Sequence, residues 1–332
     1  MDPIAALLQV DVLQGWELLG NGRGQTLAQE AAAEVASERA TAAAERARDM
    51  TPAPGAMLSH VEGLYRDGYV VFEQGINAWQ VEQAREVVES GYRRYMHSVK
   101  TLDLQEKLQD VGFYEIKMRN AGRYDLQLPE LSSPEFSFLT ADAPWMPLVH
   151  AALGSDAVLT HFGCMLSFPG SVTQPWHSDG PHIRGCGEAG YDGAVADAGA
   201  VADAGAEAQA AGGARSPFIA PVHAINVFVP LVELTLDKGP TEFVPGSHID
   251  FDVKTPSQVL TASAGSAILF DYRTKHRGLG NKSAVDRPLL YITYARPFWL
   301  DVYNFDRKRY HNLPMVEDRG TREERMLKRQ RS

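Results

Sequence analysis

From Leu159 to Tyr294 the chain breaks into short runs of β-branched and aromatic residues, each stopped by glycine or proline. Thr160-His-Phe-Gly-Cys-Met-Leu-Ser-Phe168 ends at Pro169-Gly170. Ala224-Ile-Asn-Val-Phe-Val-Pro-Leu-Val232 is a second run, and Glu242-Phe-Val244 stops at Pro245-Gly-Ser247. Ser266-Ala-Ile-Leu-Phe-Asp271 and Leu289-Leu-Tyr-Ile-Thr-Tyr294 complete the set. Runs this short do not build helices, and their punctuation is that of strands joined by turns. Ahead of them, His60-Val-Glu-Gly-Leu-Tyr65 predicts a short helix leading into the strand Gly68-Tyr-Val-Val-Phe72. Ala78 to Val99, with apolar residues at helical spacing among many charges, predicts a surface helix. Helices followed by many short strands predict a mainly β fold with flanking helices, a double-sheet jelly roll.

The 332 residues suffice for one large core with decorations. Residues 1–54 read as a helical appendage. Gln25 to Arg48 is rich in Ala and Glu but poor in large apolar side chains, and Thr51-Pro-Ala-Pro-Gly55 ends it. The main domain is expected over 55–300, with a C-terminal extension over 301–332 whose end, Arg319 to Arg331, is a basic, solvated tail. Within the main domain, residues 185–214 are nearly all Gly, Ala, Asp and Glu, with the repeat Ala194-Val-Ala-Asp-Ala-Gly and Ala200-Val-Ala-Asp-Ala-Gly. That composition buries too little apolar surface to offset its ordering entropy, so it reads as an insertion, either a lid or a tolerated surface expansion.

A net charge of −10 argues against nucleic acid as the main partner. Two cysteines, Cys164 and Cys186, lie in no C-x-x-C, which excludes a disulfide scaffold and a cysteine zinc site. The first residues lack the basic and apolar regions of a signal peptide, and no apolar run approaches the ~18 residues of a membrane span. The expected protein is cytoplasmic, acting on a small molecule.

The chemistry concentrates in Gln174-Pro-Trp-His-Ser-Asp-Gly180. His177 and Asp179, two apart on extended backbone, can offer imidazole and carboxylate to one metal ion, and His276 supplies a third ligand. Two histidines and one carboxylate on one face leave the opposite positions open, as in non-haem Fe(II) oxygenases. Eleven residues after His276, Arg287 offers a guanidinium able to grip a carboxylate through two parallel hydrogen bonds. Each residue alone is a weak signal, since the chain has ten histidines; the four together are specific.

These residues, together with Phe168-Pro-Gly170, Lys238-Gly-Pro-Thr-Glu-Phe-Val-Pro-Gly-Ser-His248, His276-Arg-Gly-Leu-Gly-Asn281 and Arg287-Pro-Leu, resemble the phytanoyl-CoA dioxygenase family. The resemblance covers roughly Met57 to Trp299. It implies a double-stranded β-helix core, Fe(II) as cofactor, and 2-oxoglutarate and O2 as cosubstrates, with 2-oxoglutarate lost as succinate and CO2 while a substrate C–H bond is oxidised. It further implies His177, Asp179 and His276 as metal ligands and Arg287 on the far carboxylate of 2-oxoglutarate. Met165, Phe228 and Lys117 fall where the family contacts the cosubstrate. Related halogenases carry a small residue in place of the carboxylate ligand, so Asp179 points to hydroxylation or another halide-free oxidation.

Two stretches stay open. Lys117-Met-Arg-Asn-Ala-Gly-Arg-Tyr-Asp-Leu-Gln127 reads as a turn-rich segment, combining Arg119, Arg123, Asp125 and Gln127, that either makes polar contacts to substrate or forms a salt-bridged surface loop. His182 is either a substrate contact or a surface histidine. His248 is expected to be structural, and Trp176 to pack under the metal loop. The competing functional readings are a catalytically silent metabolite sensor of the same fold and an enzyme using another metal without 2-oxoglutarate.

Overall fold

In a computed structural model, the structure describes residues 54–73, 75–182, 221–301, 304, 309–310 and 312–317. The expected N-terminal appendage, the insertion and the basic tail lie outside the described residues.

Helix α1 (Pro54–Asp67) runs into strand β1 (Tyr69–Phe72), as the sequence predicts. Helix α2 (Ala78–Thr101) starts at Asn77, whose side chain accepts from the Gln80 amide while the Gln80 side chain accepts from the Asn77 amide. This reciprocal cap satisfies two amides that the first helical turn leaves without partners. Its buried positions, Val81, Ala84, Val88, Gly91, Tyr95 and Val99, recur at three- and four-residue intervals and place one stripe against the sheet. Short helices α3 (Gln105–Asp110) and α4 (Met146–Leu153) complete the helical layer. No helix among the described residues is long and apolar enough to cross a membrane.

The remaining strands are β2 (Ile116–Asn120), β3 (Arg123–Leu126), β4 (Val158–Ser167), β5 (Ala224–Pro230), β6 (Thr241–Phe243), β7 (Gln258–Leu260), β8 (Ala267–Asp271), β9 (His276–Gly278) and β10 (Arg287–Ala295). They form two antiparallel sheets, one in the order β1-β8-β5-β10-β4-β3-β2 and one in the order β7-β6-β9. This is the expected jelly roll. The segment Lys117 to Gln127 differs from its expected form. It is not a turn-rich loop but a hairpin, β2 and β3, that widens the large sheet by pairing with β4.

The large sheet is covered on both faces, and the period of two decides which side chain goes where. Along β10, Leu290, Ile292 and Tyr294 join the core under the helices, with Ile225, Val227 and Val229 of β5 and Cys164 and Leu166 of β4. The other face meets the small sheet through Tyr69, Ile268, Phe270 and Leu289, packed on Phe243 and Leu260. The same inner face also buries polar side chains, among them Arg123, Asp125, Ser167, Asn226, Arg287 and Thr293. Gly163 makes room for one inner side chain, since a Cβ there would overlap the Tyr291 hydroxyl facing it.

His248 is buried, with Nε2 at 3.0 Å from the carbonyl of Tyr65, a structural role at the end of α1. His223, just before β5, is 1 % exposed and rests on Trp299 at a ring separation of 4.1 Å. Neither of its ring nitrogens has a hydrogen-bond partner among the described residues. Burial pushes it down to about 4; the charges of Asp271, which opposes the shift, and of Arg273 and His182, which add to it, are smaller influences. An unfolded histidine titrates near ~6.5. Above that pH His223 is neutral in both states and adds no pH dependence. Between about 6.5 and about 4 the unfolded chain takes up a proton that the fold refuses, so stability falls across this window. His223→Phe is expected to shrink the drop in melting temperature of metal-free protein between about pH 7.5 and about pH 5. Thermal unfolding of both proteins at the two pH values measures it, and an equal drop in both would refute it.

Candidate active site

The small sheet's edge strand β9 begins at His276, and the loop carrying His177 is laced to it. The His177 amide donates to the His276 carbonyl at 3.0 Å, and the His276 amide returns a bond to His177 at 2.8 Å. Two residues paired in this way project their side chains together, and the ring centroids lie 4.4 Å apart. The long separation in sequence between the two histidines thus closes to one bridge.

Each imidazole is oriented by the carbonyl two residues before it. Nδ1 of His177 lies 2.9 Å from Pro175 O, and Nδ1 of His276 lies 2.9 Å from Thr274 O. A carbonyl only accepts, so each Nδ1 carries the proton and each Nε2 presents a lone pair. Both Nε2 atoms face Asp179, His177 at 3.9 Å from Oδ1 and His276 at 3.7 Å from Oδ2. One ligand atom from each of the three residues lies within 4.8 Å of the others, a spacing that suits one metal ion. Burial holds His276 neutral, down to about 4, against the pull of the Asp179 charge. Neutral imidazole is the form that binds metal.

Asp179 is itself braced. Asn226 of β5 donates to its Oδ2 at 2.5 Å, and Thr293 of β10 donates to the Asn226 carbonyl oxygen at 2.5 Å. Asn304 donates to the Asp179 backbone carbonyl at 2.6 Å. Trp176 lies under the Arg277 guanidinium at 4.3 Å, and Arg277 is fixed by Glu242 at 2.7 Å.

The three residues open onto a cleft of about 690 Å³, mouth included, which Arg119, Met165, Phe228, Arg287, Leu289 and Tyr291 also line. Arg287, within this lining, is 1 % exposed. Its Nη2 donates to Ser167 Oγ at 2.8 Å and its Nη1 to the carbonyl of Gly239. Gly239 holds φ of +72°, where a Cβ would collide with the backbone of Leu279 and Gly280, so only glycine presents its carbonyl there without strain. Nε of Arg287 has no partner, and no carboxylate pairs with the guanidinium among the described residues. Burial, and then the charge of Arg123, pushes Arg287 down to about 9. A buried cation without an anion is costly unless a ligand supplies one.

The cleft's other wall is an ion-pair cluster. Asp125 is fully buried, and its Oδ2 accepts from Arg119 Nε (3.1 Å), Arg119 Nη2 (2.6 Å) and Arg309 Nη2 (2.8 Å). Its Oδ1 accepts from the Tyr291 hydroxyl at 2.7 Å, and Gln127 Nε2 donates to that hydroxyl at 2.6 Å. Burial alone would raise Asp125, but the two guanidinium groups outweigh it and hold the carboxyl below its usual range.

The structure therefore brings His177, Asp179, His276, Met165, Phe228, Arg287 and Arg119 to one cleft. Gln127 stands behind it, on Tyr291. Arg123 does not line it. Wholly buried, Arg123 donates from Nη2 to Val172 O and Leu279 O, both at 3.0 Å, clamping the segment that leads to His177 onto the end of β9. Lys117 lies on β2 outside the cleft lining, and His182 packs edge-on against Phe251 at 5.8 Å, also outside it. Asp125, from the same segment as Arg119, also lines the cleft, and Asn226, Tyr291, Thr293 and Asn304 line it without having been expected from sequence. Asn226 and Thr293 were legible only as lone polar residues at alternate positions of apolar strands. Asn304 and Arg309 lie beyond the expected domain end at 300, yet both reach this site.

A family model described as phytanoyl-CoA dioxygenase (PhyH) matches residues 64–289. Among solved structures, the non-heme alpha-ketoglutarate-dependent epimerase SnoN from nogalamycin biosynthesis is 18% identical. The match covers 80% of this chain and 97% of that one, with a TM-score of 0.50. HygX from Streptomyces hygroscopicus, solved with nickel, 2-oxoglutarate and hygromycin B, is 13% identical over 77% of this chain and 97% of its own, with a TM-score of 0.48. The SnoN match, at this level of identity, speaks to the shared fold alone. The match over residues 64–289, which spans most of the chain, carries the assignment: the protein belongs to the phytanoyl-CoA dioxygenase family.

Proposed function

We propose that the protein is an Fe(II)- and 2-oxoglutarate-dependent dioxygenase that hydroxylates, or otherwise oxidises without halide, a small-molecule substrate. The observation that carries this reading is the pairing, in one cleft, of a tautomer-fixed His-Asp-His set with a buried arginine that has no acidic partner among the described residues. The donor set fits iron, since two neutral imidazoles and one carboxylate bind on one side and leave further positions free. The orphaned Nε and buried charge of Arg287 fit the far carboxylate of 2-oxoglutarate.

His177, Asp179 and His276 would hold the metal, and Arg287 the cosubstrate. Bound together, iron and 2-oxoglutarate supply the oxidation of a C–H bond, one O2 giving one oxygen to the product and one to succinate, with CO2 released. Met165, Phe228 and Leu289 give this end of the cleft apolar walls that keep water away from it. Arg119, anchored on Asp125 through Nε and Nη2, is the cleft's exposed cation and is assigned to substrate. Gln127 supports that wall through Tyr291. The locations of Lys117, Arg123 and His182 outside the cleft lining give them no contact role in this reading. Asp179 favours hydroxylation over halogenation, because a carboxylate fills the position halide would need.

Anaerobic addition of Fe(II) and then 2-oxoglutarate to metal-free protein is expected to raise a visible charge-transfer band. In air the same mixture should release succinate slowly without any added substrate. Iron binding without the band would overturn the 2-oxoglutarate assignment. The band without succinate release, even across a broad substrate panel, would favour the silent sensor.

A further inference from the structure

Asp179 has two oxygens, and the protein treats them differently. Oδ2 accepts the Asn226 side-chain N–H at 2.5 Å, while no hydrogen bond reaches Oδ1 among the described residues. Asn226 is 4 % exposed and lies on the inner face of β5, directly across from Thr293 of β10. Its amide has two orientations in principle, one with N–H and one with C=O toward the carboxylate. The Asp179 carboxylate, which only accepts, requires the N–H, and the Thr293 hydroxyl, donating to Asn226 Oδ1 at 2.5 Å, holds the amide in that orientation. Thr293 is buried at 2 % exposure, with its backbone locked between β4 and β5. A polar chain buried this deeply is retained at a cost unless both ends are satisfied, and here both are.

We propose that Asn226, oriented by Thr293, is a positioning residue that occupies Oδ2 of Asp179 and reserves Oδ1 as the single oxygen given to the metal. A carboxylate left free at both oxygens can take two coordination positions instead of one. Tying one oxygen to Asn226 preserves the open position that cosubstrate and O2 need. This inference rests on the iron and 2-oxoglutarate reading, and it concerns the direction in which the ligand is aimed. Partners behind metal ligands commonly set affinity by 10–100-fold, which gives the expected scale here.

The test uses full-length protein, titrated anaerobically with Fe(II) and then with 2-oxoglutarate, as wild type, Asn226→Ala, Thr293→Val and the double variant. Asn226→Ala is expected to weaken Fe(II) binding by about 10–100-fold and to move the maximum of the 2-oxoglutarate charge-transfer band. Thr293→Val, close in shape, should produce a smaller effect of the same sign. The double variant should match Asn226→Ala alone, because Thr293 acts only through the amide. Wild type that fails to bind iron would sink the functional reading itself. Wild type that binds, with Asn226→Ala within twofold of it and an unmoved band, would sink this inference, as would additive effects in the double variant. Asn226→Ala that does not fold is replaced by Asn226→Ser, and Thr293→Val preserves the test in either case.

Discussion

Replacing His177 with alanine is expected to abolish iron-dependent succinate release while leaving the fold unchanged. The size follows from what the metal contributes: several kcal/mol of stabilisation at about 1.36 kcal/mol per tenfold, or a loss of about three orders of magnitude. The separation of function from fold follows from the surroundings of His177. Its side chain is 34% exposed, and among the described residues its ring is held by one hydrogen bond, from Nδ1 to Pro175 O. The bridge to His276 uses backbone atoms, which alanine keeps. His276 would make a poorer test. It is 3 % exposed and packed against Phe243 at 5.6 Å and Phe270 at 4.8 Å, so truncation there also opens a cavity in the core. For His177→Ala, metal content after loading, succinate release and the melting temperature of metal-free protein are measured together. Retained iron with retained turnover would remove His177 from the metal site.

The triad could be read from sequence because two of its members are neighbours and the third stands in a turn-bounded strand with an arginine beyond it. The jelly roll was legible for a related reason: short apolar runs closed by glycine or proline have few other structures open to them. The hairpin of β2 and β3 was not legible, and its chemistry explains why. Arg123 and Asp125 are inner-face residues, charged yet buried, because each meets a specific partner: two guanidinium groups, those of Arg119 and Arg309, for Asp125, and two carbonyls for Arg123. A strand whose inner positions are charged looks like a surface loop until those partners are known. Asn226 and Thr293 were hidden in the opposite way, as polar residues inside otherwise apolar strands. Arg309 and Asn304 were missed because the sequence after Trp299 has no strand pattern, while their side chains reach back to Asp125 and to the Asp179 carbonyl.

Arg287→Met is expected to move binding and stability in opposite directions. In the absence of ligand, Arg287 is a buried guanidinium with two neutral acceptors, Ser167 Oγ and Gly239 O, and no acid among the described residues. Exchanging such a charge for an apolar side chain of similar length removes its desolvation cost, and buried ionic groups replaced in this way often leave proteins neutral or about 1–4 kcal/mol more stable. Against that stands the loss of donors to two acceptors, worth roughly 1 kcal/mol each. The net expectation for metal-free protein is a melting temperature equal to or a few degrees above wild type, at about 2–4 °C per kcal/mol. For 2-oxoglutarate the balance reverses. Truncating one member of a buried, charge-assisted pair costs about 2–5 kcal/mol, which corresponds to roughly 30- to 5,000-fold weaker binding. Iron binding should be unaffected, because Arg287 donates to Ser167 and Gly239 and not to any of the three ligands. Arg287→Lys should fall between the two, since it restores the charge but not the planar fork that meets a carboxylate through two parallel bonds. The charge-transfer titration reads cosubstrate affinity for all three proteins, and thermal unfolding without ligand reads stability. A methionine variant that binds 2-oxoglutarate as tightly as wild type would show that the anion is held elsewhere in the cleft. Arg119 would then be the next cation to test, because it lines the same cleft and keeps one guanidinium nitrogen beyond the two spent on Asp125.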